Sequence, residues 1–191
     1  MDALSKRINS LPVSATLAMA AKARELKNNG VDVIGLSLGE PDFNTPEYIK
    51  DAAIQAVKDN YNSYSPVDGY VDLKEAICTK FERDNNLKYN PSQIVVSTGA
   101  KQSIANLCMV LLNPGDEVLL PAPYWVSYSA IATLAEAESI IIPSSIETNF
   151  KITPEQLEAA ITPNTKLIMF NSPNNPSGTI YTESEYRALG K

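Results

Sequence analysis

Five short stretches hold the residues whose types and spacing could do chemistry. In STGAKQS, residues 97–103, hydroxyls, a glycine and Lys101 lie where an extended run gives way to a helical pattern. Free backbone amides and hydroxyls at the positive end of a helix suit a phosphate. A plain helix cap explains the stretch equally well. It matches neither G-x-x-x-x-G-K-[ST] nor G-x-G-x-x-G, so ATP and dinucleotides are not indicated. In PAPYWVSY the single tryptophan, Trp125, could stack on a planar heterocycle or simply fill the core. In FNSPNNPSG two prolines stiffen a loop that holds Asn175, whose backbone the following proline biases toward extended. The alternative there is an Asx-type turn with no ligand. LGEPDFNTPE offers Gly39, where backbone could approach a ligand, and YSPVDG offers the phenol of Tyr64. A turn and a surface tyrosine are their plain readings.

Composition narrows the chemistry. Histidine is absent, which excludes Ser-His-Asp and Cys-His catalysis and leaves no ordinary zinc site. No metal is expected. The cysteines, Cys78 and Cys108, lie apart in helix-like patterns and read as buried thiols of a reducing compartment. The net charge is −6 and only Lys6 and Arg7 are adjacent basic residues, so no nucleic-acid footprint is expected. No apolar run is long enough to span a bilayer, and the N-terminal stretch is broken by Lys22 and Arg24, unlike a signal peptide. The expected location is cytoplasmic, with no membrane contact.

These loops need elements to hold them. An alanine-rich segment from Ala15 to Asn29, stopped by Gly30, predicts a helix. VDVIGLSLG predicts an extended stretch, and Thr45 is expected to cap a helix begun by Pro46 and carried to about Lys58. A second amphipathic helix is expected from Tyr70 to Arg83, burying Leu73, Ile77 and Phe81 on one face. Beyond Tyr89, strands and helices alternate. QIVVS, DEVLLP, SIIIP and KLIMF read as strands, each followed by a helix, the last helix after Thr182. Continuous Val, Ile and Leu in strands separated by helices predict an α/β fold with a mostly parallel sheet covered on both faces. Ligands of such sheets bind beyond the carboxyl ends of the strands, which singles out STGAKQ, LPAPYWVSY and FNSPNNPSG. A boundary is expected near Gly39 to Asn44, separating residues 1–44 from 45–191.

Taken in order, SLGEPDFNTPE, YSPVDGYVDLKEAI, VVSTGAKQSI, PAPYWVSY and FNSPNNPSGTIY resemble the landmarks of fold-type I pyridoxal-phosphate aminotransferases of class I/II. The resemblance is closest to the bacterial-type aspartate aminotransferases and runs from about Leu11 onward. It implies that residues 1–44 are a helical segment of the family's small domain and that 45–191 are part of its large, pyridoxal-phosphate-binding domain. It implies Gly99, Ala100 and Lys101 in the phosphate cradle, Trp125 stacked on the pyridine ring and also meeting substrate, and Asn175 donating to the phenolic oxygen while facing substrate. Gly39 would meet the substrate carboxylate through its backbone. Tyr64 would reach the phosphate of the neighbouring subunit in a homodimer.

The implied reaction moves an amino group between an amino acid, aspartate first, and a 2-oxo acid. Aromatic, alanine or prephenate-type aminotransferases and a related lyase are the alternatives. The family's Schiff-base lysine has no match among these residues, and neither do the aspartate at the pyridinium nitrogen, its nearby tyrosine and the arginine for the α-carboxylate. The 191 residues are therefore expected to be an N-terminal portion, inactive alone and with no catalytic residue of their own. The other reading is a non-catalytic binding or dimerisation module that keeps the fold.

Overall fold

The structure is a computed structural model that describes residues 3–36 and 38–191. The chain forms two compact units, Met1–Ser14 with Gly99–Lys191, and Ala15–Thr98. This division by compactness within the chain is a separate matter from the boundary expected at 44/45 for the family's domains.

In the Ala15–Thr98 unit, three helices follow one another: α2 (Ala15–Asn28), α3 (Glu47–Lys58) and α4 (Val71–Asn85), after a short α1 (Lys6–Asn9) in the other unit. α2 stops where the sequence predicts. α3 differs at its start: Pro46, not Thr45, is the N-cap residue, and it brings no side-chain cap. α4 begins after Tyr70 and ends at Asn86, whose left-handed φ of +55° lets the Leu87 amide donate to the Phe81 carbonyl. Its buried residue is Lys74, while Leu73 is exposed and Ile77 and Phe81 are half-buried, so the expected apolar face is only partly covered. Lys74 pairs with Asp68 of the preceding turn.

Among the described residues the extended runs of this unit build no sheet. Residues 31–36 form no strand, and Ser37, within the expected 31–39 stretch, lies outside the described residues. QIVVS, expected as a strand, is a 3-10 turn (Pro91–Gln93) running into extended chain with no ladder partner. Its Val96 amide donates instead to the Asp68 carbonyl at 3.1 Å. A strand needs a neighbour, and residue composition does not supply one.

The other unit carries the sheet. Among the described residues three parallel strands, β1 (Glu117–Pro121), β2 (Glu138–Ile142) and β3 (Thr165–Ile168), run in the order β2-β1-β3. Helices α5 (Ala100–Leu111), α6 (Ser127–Leu134), α7 (Pro154–Ala160) and α8 (Glu183–Leu189) surround it. The central strand shows why its apolar run is continuous. Val118 and Leu120 face a cluster built with Cys108 of α5 and Tyr128, Ile131 and Ala132 of α6. Leu119 faces the opposite cluster, with Ile142, Ile152, Leu157 of α7 and Leu189 of α8. Helices thus cover both faces, as the strand pattern predicts. α7 and α8 begin with capping boxes, Thr153 with Gln156 and Thr182 with Glu185. Cys108 is buried, whereas Cys78 is half-buried rather than fully so. No helix of the described residues is long and apolar enough to cross a membrane.

Candidate functional site

Two of the three loops expected at strand ends do lie there. PAPYWVSY leaves the carboxyl end of β1 and FNSPNNPSG that of β3, and the two strands are hydrogen-bonded neighbours. STGAKQ does not follow a strand, since residues 94–97 are unladdered, but it opens α5 as expected.

The start of α5 differs from those of α7 and α8. Its N-cap is Gly99, at φ +80°, which brings no side-chain cap. The first amides of any helix lack intrahelical acceptors, so Ala100 and Lys101 present theirs at the positive helix end. A Cβ built on Gly99 would meet nothing within 4 Å, so the space before the helix is open. Lys101 is exposed, and its ammonium lies over the Trp125 ring, 5.0 Å from the centroid. Such a contact is worth about 0.5–1 kcal/mol at an exposed position.

Trp125 answers to both of its sequence readings. It is half-buried and packs against the α5/α6 cluster, edge to face with Tyr128 at 5.6 Å and 86°. Burial pushes the Tyr128 phenol above its ordinary range. The indole is therefore fixed by the core on one side and met by a cation on another.

The FNSPNNPSG loop folds back on itself. Asn171 Nδ2 donates to the Pro173 carbonyl at 2.9 Å, and Asn171 Oδ1 accepts from the Asn175 backbone amide at 3.4 Å. The Tyr181 amide donates to Ser172 Oγ at 2.9 Å. Asn174 Nδ2 crosses to the Pro123 carbonyl at 3.2 Å, joining the loop after β3 to the loop after β1. Asn175 itself is exposed. The peptide bonds before Pro123, Pro173 and Pro176 are cis.

Gly99, Ala100, Lys101, Trp125 and Asn175 thus belong to one compact unit, tied through the Lys101–Trp125 and Asn174–Pro123 contacts. Gly39 and Tyr64 belong to the other. Gly39 is exposed with open space at its Cβ position, and the Tyr64 ring is fully exposed. No group of three or more His, Cys, Asp or Glu residues arranged for a metal ion occurs among the described residues. Sequence reasoning missed Asn174, because nothing in the pair Asn174-Asn175 says which side chain turns inward. It also missed the Lys74–Asp68 pair, for which the turn between them would have to be known.

The class of protein defined here is an α/β domain with a parallel sheet, whose strand-end loops carry an aromatic ring and amides, with the cation Lys101 in the first turn of α5. The sequence profile of the aminotransferase class I and II family matches residues 31–191, and the chain belongs to that family. It is 51% identical over 187 residues to an aspartate/prephenate aminotransferase of Nitrosomonas europaea, covering 98% of this chain and 47% of that one. It is 50% identical over 188 residues to the aspartate aminotransferase of Bacillus subtilis, covering 98% and 48%. Among solved structures it resembles the aspartate aminotransferase of Thermus thermophilus with maleate, at a TM-score of 0.94 and 42% identity, covering 99% of this chain and 50% of that one. The Rhizobium meliloti aspartate aminotransferase matches with a TM-score of 0.92 and 46% identity, covering 97% and 46%. The chain spans about half the length of these relatives.

Proposed function

We propose that the protein carrying these residues is a pyridoxal-phosphate aminotransferase that exchanges an amino group between aspartate and a 2-oxo acid. The observation that carries this reading is the meeting of three parts in one compact unit. They are a helix N-terminus without a side-chain cap, an ammonium over an indole, and a stiff amide loop bonded to the loop bearing that indole. This donor set fits an aromatic phosphate ester. The α5 amides and Lys101 suit the dianion, the core-packed Trp125 offers a flat apolar partner, and Asn175 offers a neutral donor.

In this reading Gly99, Ala100 and Lys101 hold the phosphate, Trp125 stacks on the ring, and Asn175 donates to its phenolic oxygen while facing substrate. Gly39 receives the substrate carboxylate through its backbone, and Tyr64 reaches the phosphate of a second subunit in a homodimer. When bound, the pyridoxal ring supplies an electron sink for the bonds at the amino acid's Cα. Residues 1–44 contribute to the small domain and 45–191 to the cofactor-binding one. The location is the cytoplasm. Aspartate is favoured as donor by the relatives' names, and a relative solved with maleate, also a dicarboxylate, agrees.

The complete protein, loaded with pyridoxal phosphate, should turn over aspartate with 2-oxoglutarate. Lys101→Met should weaken inorganic phosphate and pyridoxal phosphate alike. The 191-residue chain alone should show no turnover, because no residue in it matches the family's Schiff-base lysine. A complete protein that neither binds pyridoxal phosphate nor transfers an amino group from aspartate, aromatic amino acids or alanine would overturn the proposal.

A further inference from the structure

We infer that Asn174 positions Asn175 and Trp125 relative to one another, by tying the loop after β3 to the loop after β1. Every polar group of Asn174 is engaged. Its amide nitrogen donates to the Thr179 carbonyl at 2.9 Å, and its carbonyl accepts from the Gly178 amide at 2.8 Å. Its side-chain oxygen accepts from the Ser177 amide at 3.1 Å and from Ser177 Oγ at 2.9 Å. Its Nδ2 donates to the Pro123 carbonyl at 3.2 Å, 51 residues away in sequence. The first four bonds hold the loop in shape; the fifth fixes where the loop sits.

Both ends of that fifth bond lie close to candidate ligand-holding side chains. Asn174 precedes Asn175, and Pro123 lies two residues before Trp125. The Pro123 end is itself anchored, because the preceding Ala122 carbonyl accepts from Ser144 Oγ, beyond β2, and the Ala122 amide donates to the Ile142 carbonyl at 2.9 Å. The β1 loop is therefore held by β2, and Asn174 references the β3 loop to that fixed point. The Asn175 side chain takes part in none of these bonds among the described residues, which leaves its amide free to face a ligand. Asn174 is a positioning residue: it acts through its neighbours and touches no ligand.

The inference rests on the reading that Asn175 and Trp125 hold the pyridoxal ring. Asn174→Asp tests it with least change in volume. The carboxylate keeps the bonds from Ser177 and sets an acceptor against the Pro123 carbonyl, turning the attraction there into repulsion. In the complete protein, pyridoxal phosphate affinity should fall about tenfold, the equivalent of one lost hydrogen bond of ~1.4 kcal/mol. Inorganic phosphate, whose proposed cradle is at α5, should bind as in the parent protein. The visible absorption titration of bound pyridoxal phosphate should shift to higher pH, because the donor to its phenolic oxygen has moved. An added carboxylate raises that titration by its charge alone, so the discrimination rests on the neutral variant Ser177→Ala, whose titration would stay in place if Asn174 merely supported the fold.

Ser177→Ala, which removes one bond to the Asn174 oxygen and keeps the Pro123 bond, should shift the titration in the same direction by less. It serves as the readout if Asn174→Asp does not fold. Unchanged affinity and titration in Asn174→Asp, or equal losses for pyridoxal phosphate and inorganic phosphate, would overturn the inference. Asn175→Ala separates the two readings. If it too leaves the titration unmoved, the assignment of Asn175 to the ring oxygen has failed; if only the Asn174 variant is silent, the positioning role has.

Discussion

Gly69→Ala should damage the Ala15–Thr98 unit well beyond the ordinary cost of replacing a glycine, and the excess can be isolated. Gly69 sits at φ +100°, and a Cβ there would lie 2.6 Å from Val96 Cγ2 and 2.9 Å from Val96 Cβ. Two penalties therefore combine. Placing an L side chain in left-handed backbone costs about 1–2 kcal/mol. Forcing a methyl into an occupied space costs about 1–3 kcal/mol more. Gly30 is the control within the same unit: its φ is +81°, and a Cβ there meets nothing within 4 Å, so Gly30→Ala carries the first penalty alone. The difference between the variants, about 2 kcal/mol, corresponds to about 4–8 °C in melting temperature for a chain of this size. Circular dichroism melts and urea titrations would measure it, with unchanged m-values confirming that stability alone has moved. Val96→Ala removes the nearer of the two clashing atoms, so the double variant Gly69→Ala/Val96→Ala should recover about 1 kcal/mol relative to additivity. If Gly69→Ala melts with Gly30→Ala, or if Val96→Ala brings no recovery, the close packing of the 68–69 turn on Val96 is refuted.

Three further outcomes follow from the sheet-bearing unit. Leu120, fully buried in β1, should cost about 3 kcal/mol when cut to alanine, read by urea unfolding, because a rigid strand between two clusters collapses poorly around a cavity. The Ile152 amide donates to the Tyr181 hydroxyl at 2.9 Å, with both residues buried. Tyr181→Phe should therefore cost about 1–3 kcal/mol by the same measurement, the penalty of an unsatisfied buried amide. The ammonium of Lys151, bonded at 2.7 and 2.9 Å, and the Thr182 amide hold the Glu185 carboxyl down at about 2 against an ordinary 4.5. The unfolded chain thus takes up this proton first as pH falls. The melting temperature of the parent protein should exceed that of Glu185→Gln above pH 4.5, and the gap should close as pH falls toward 2. A gap independent of pH would contradict the pairing.

How much of this could be read from the residues differs by element. β1 was legible because a strand covered on both faces must be apolar throughout, and Val118, Leu119 and Leu120 are at most 1% exposed; β2 and β3, each partly exposed, were legible from their Ile and Leu runs between helices. α8 was legible from Thr182, whose hydroxyl accepts from the Glu185 amide. QIVVS has the same texture as the real strands, yet among the described residues it has no ladder partner; its Val96 amide goes to a turn carbonyl, a choice set by non-local geometry. Lys74 was illegible for a related reason. Within VDLKEAI it reads as a surface lysine, and only the Asp68 turn folding over α4 makes it the buried residue of that helix. In the candidate site, residue types pointed to the loops, but that Asn174 rather than Asn175 bonds across them depends on where the Pro123 carbonyl lies.

That the candidate site lies beside β3 rather than β2 agrees with the connections. After β1 the chain enters α6, on the face of Val118 and Leu120, and proceeds to β2; after β3 it enters α8, on the face of Leu119. Between β1 and β2 the strand ends stay zipped, by the Ala122 amide on the Ile142 carbonyl and by Ser144 Oγ on the Ala122 carbonyl. Between β1 and β3 the backbone bonding reaches the Met169 amide on the Leu119 carbonyl, after which the two chains part toward opposite faces. Parallel sheets bind their ligands at the carboxyl edge where neighbouring chains part. Two divergent loops have no fixed spacing of their own. Their spacing is set by whatever spans them, and among the described residues the side-chain bond that does so is Asn174 to Pro123.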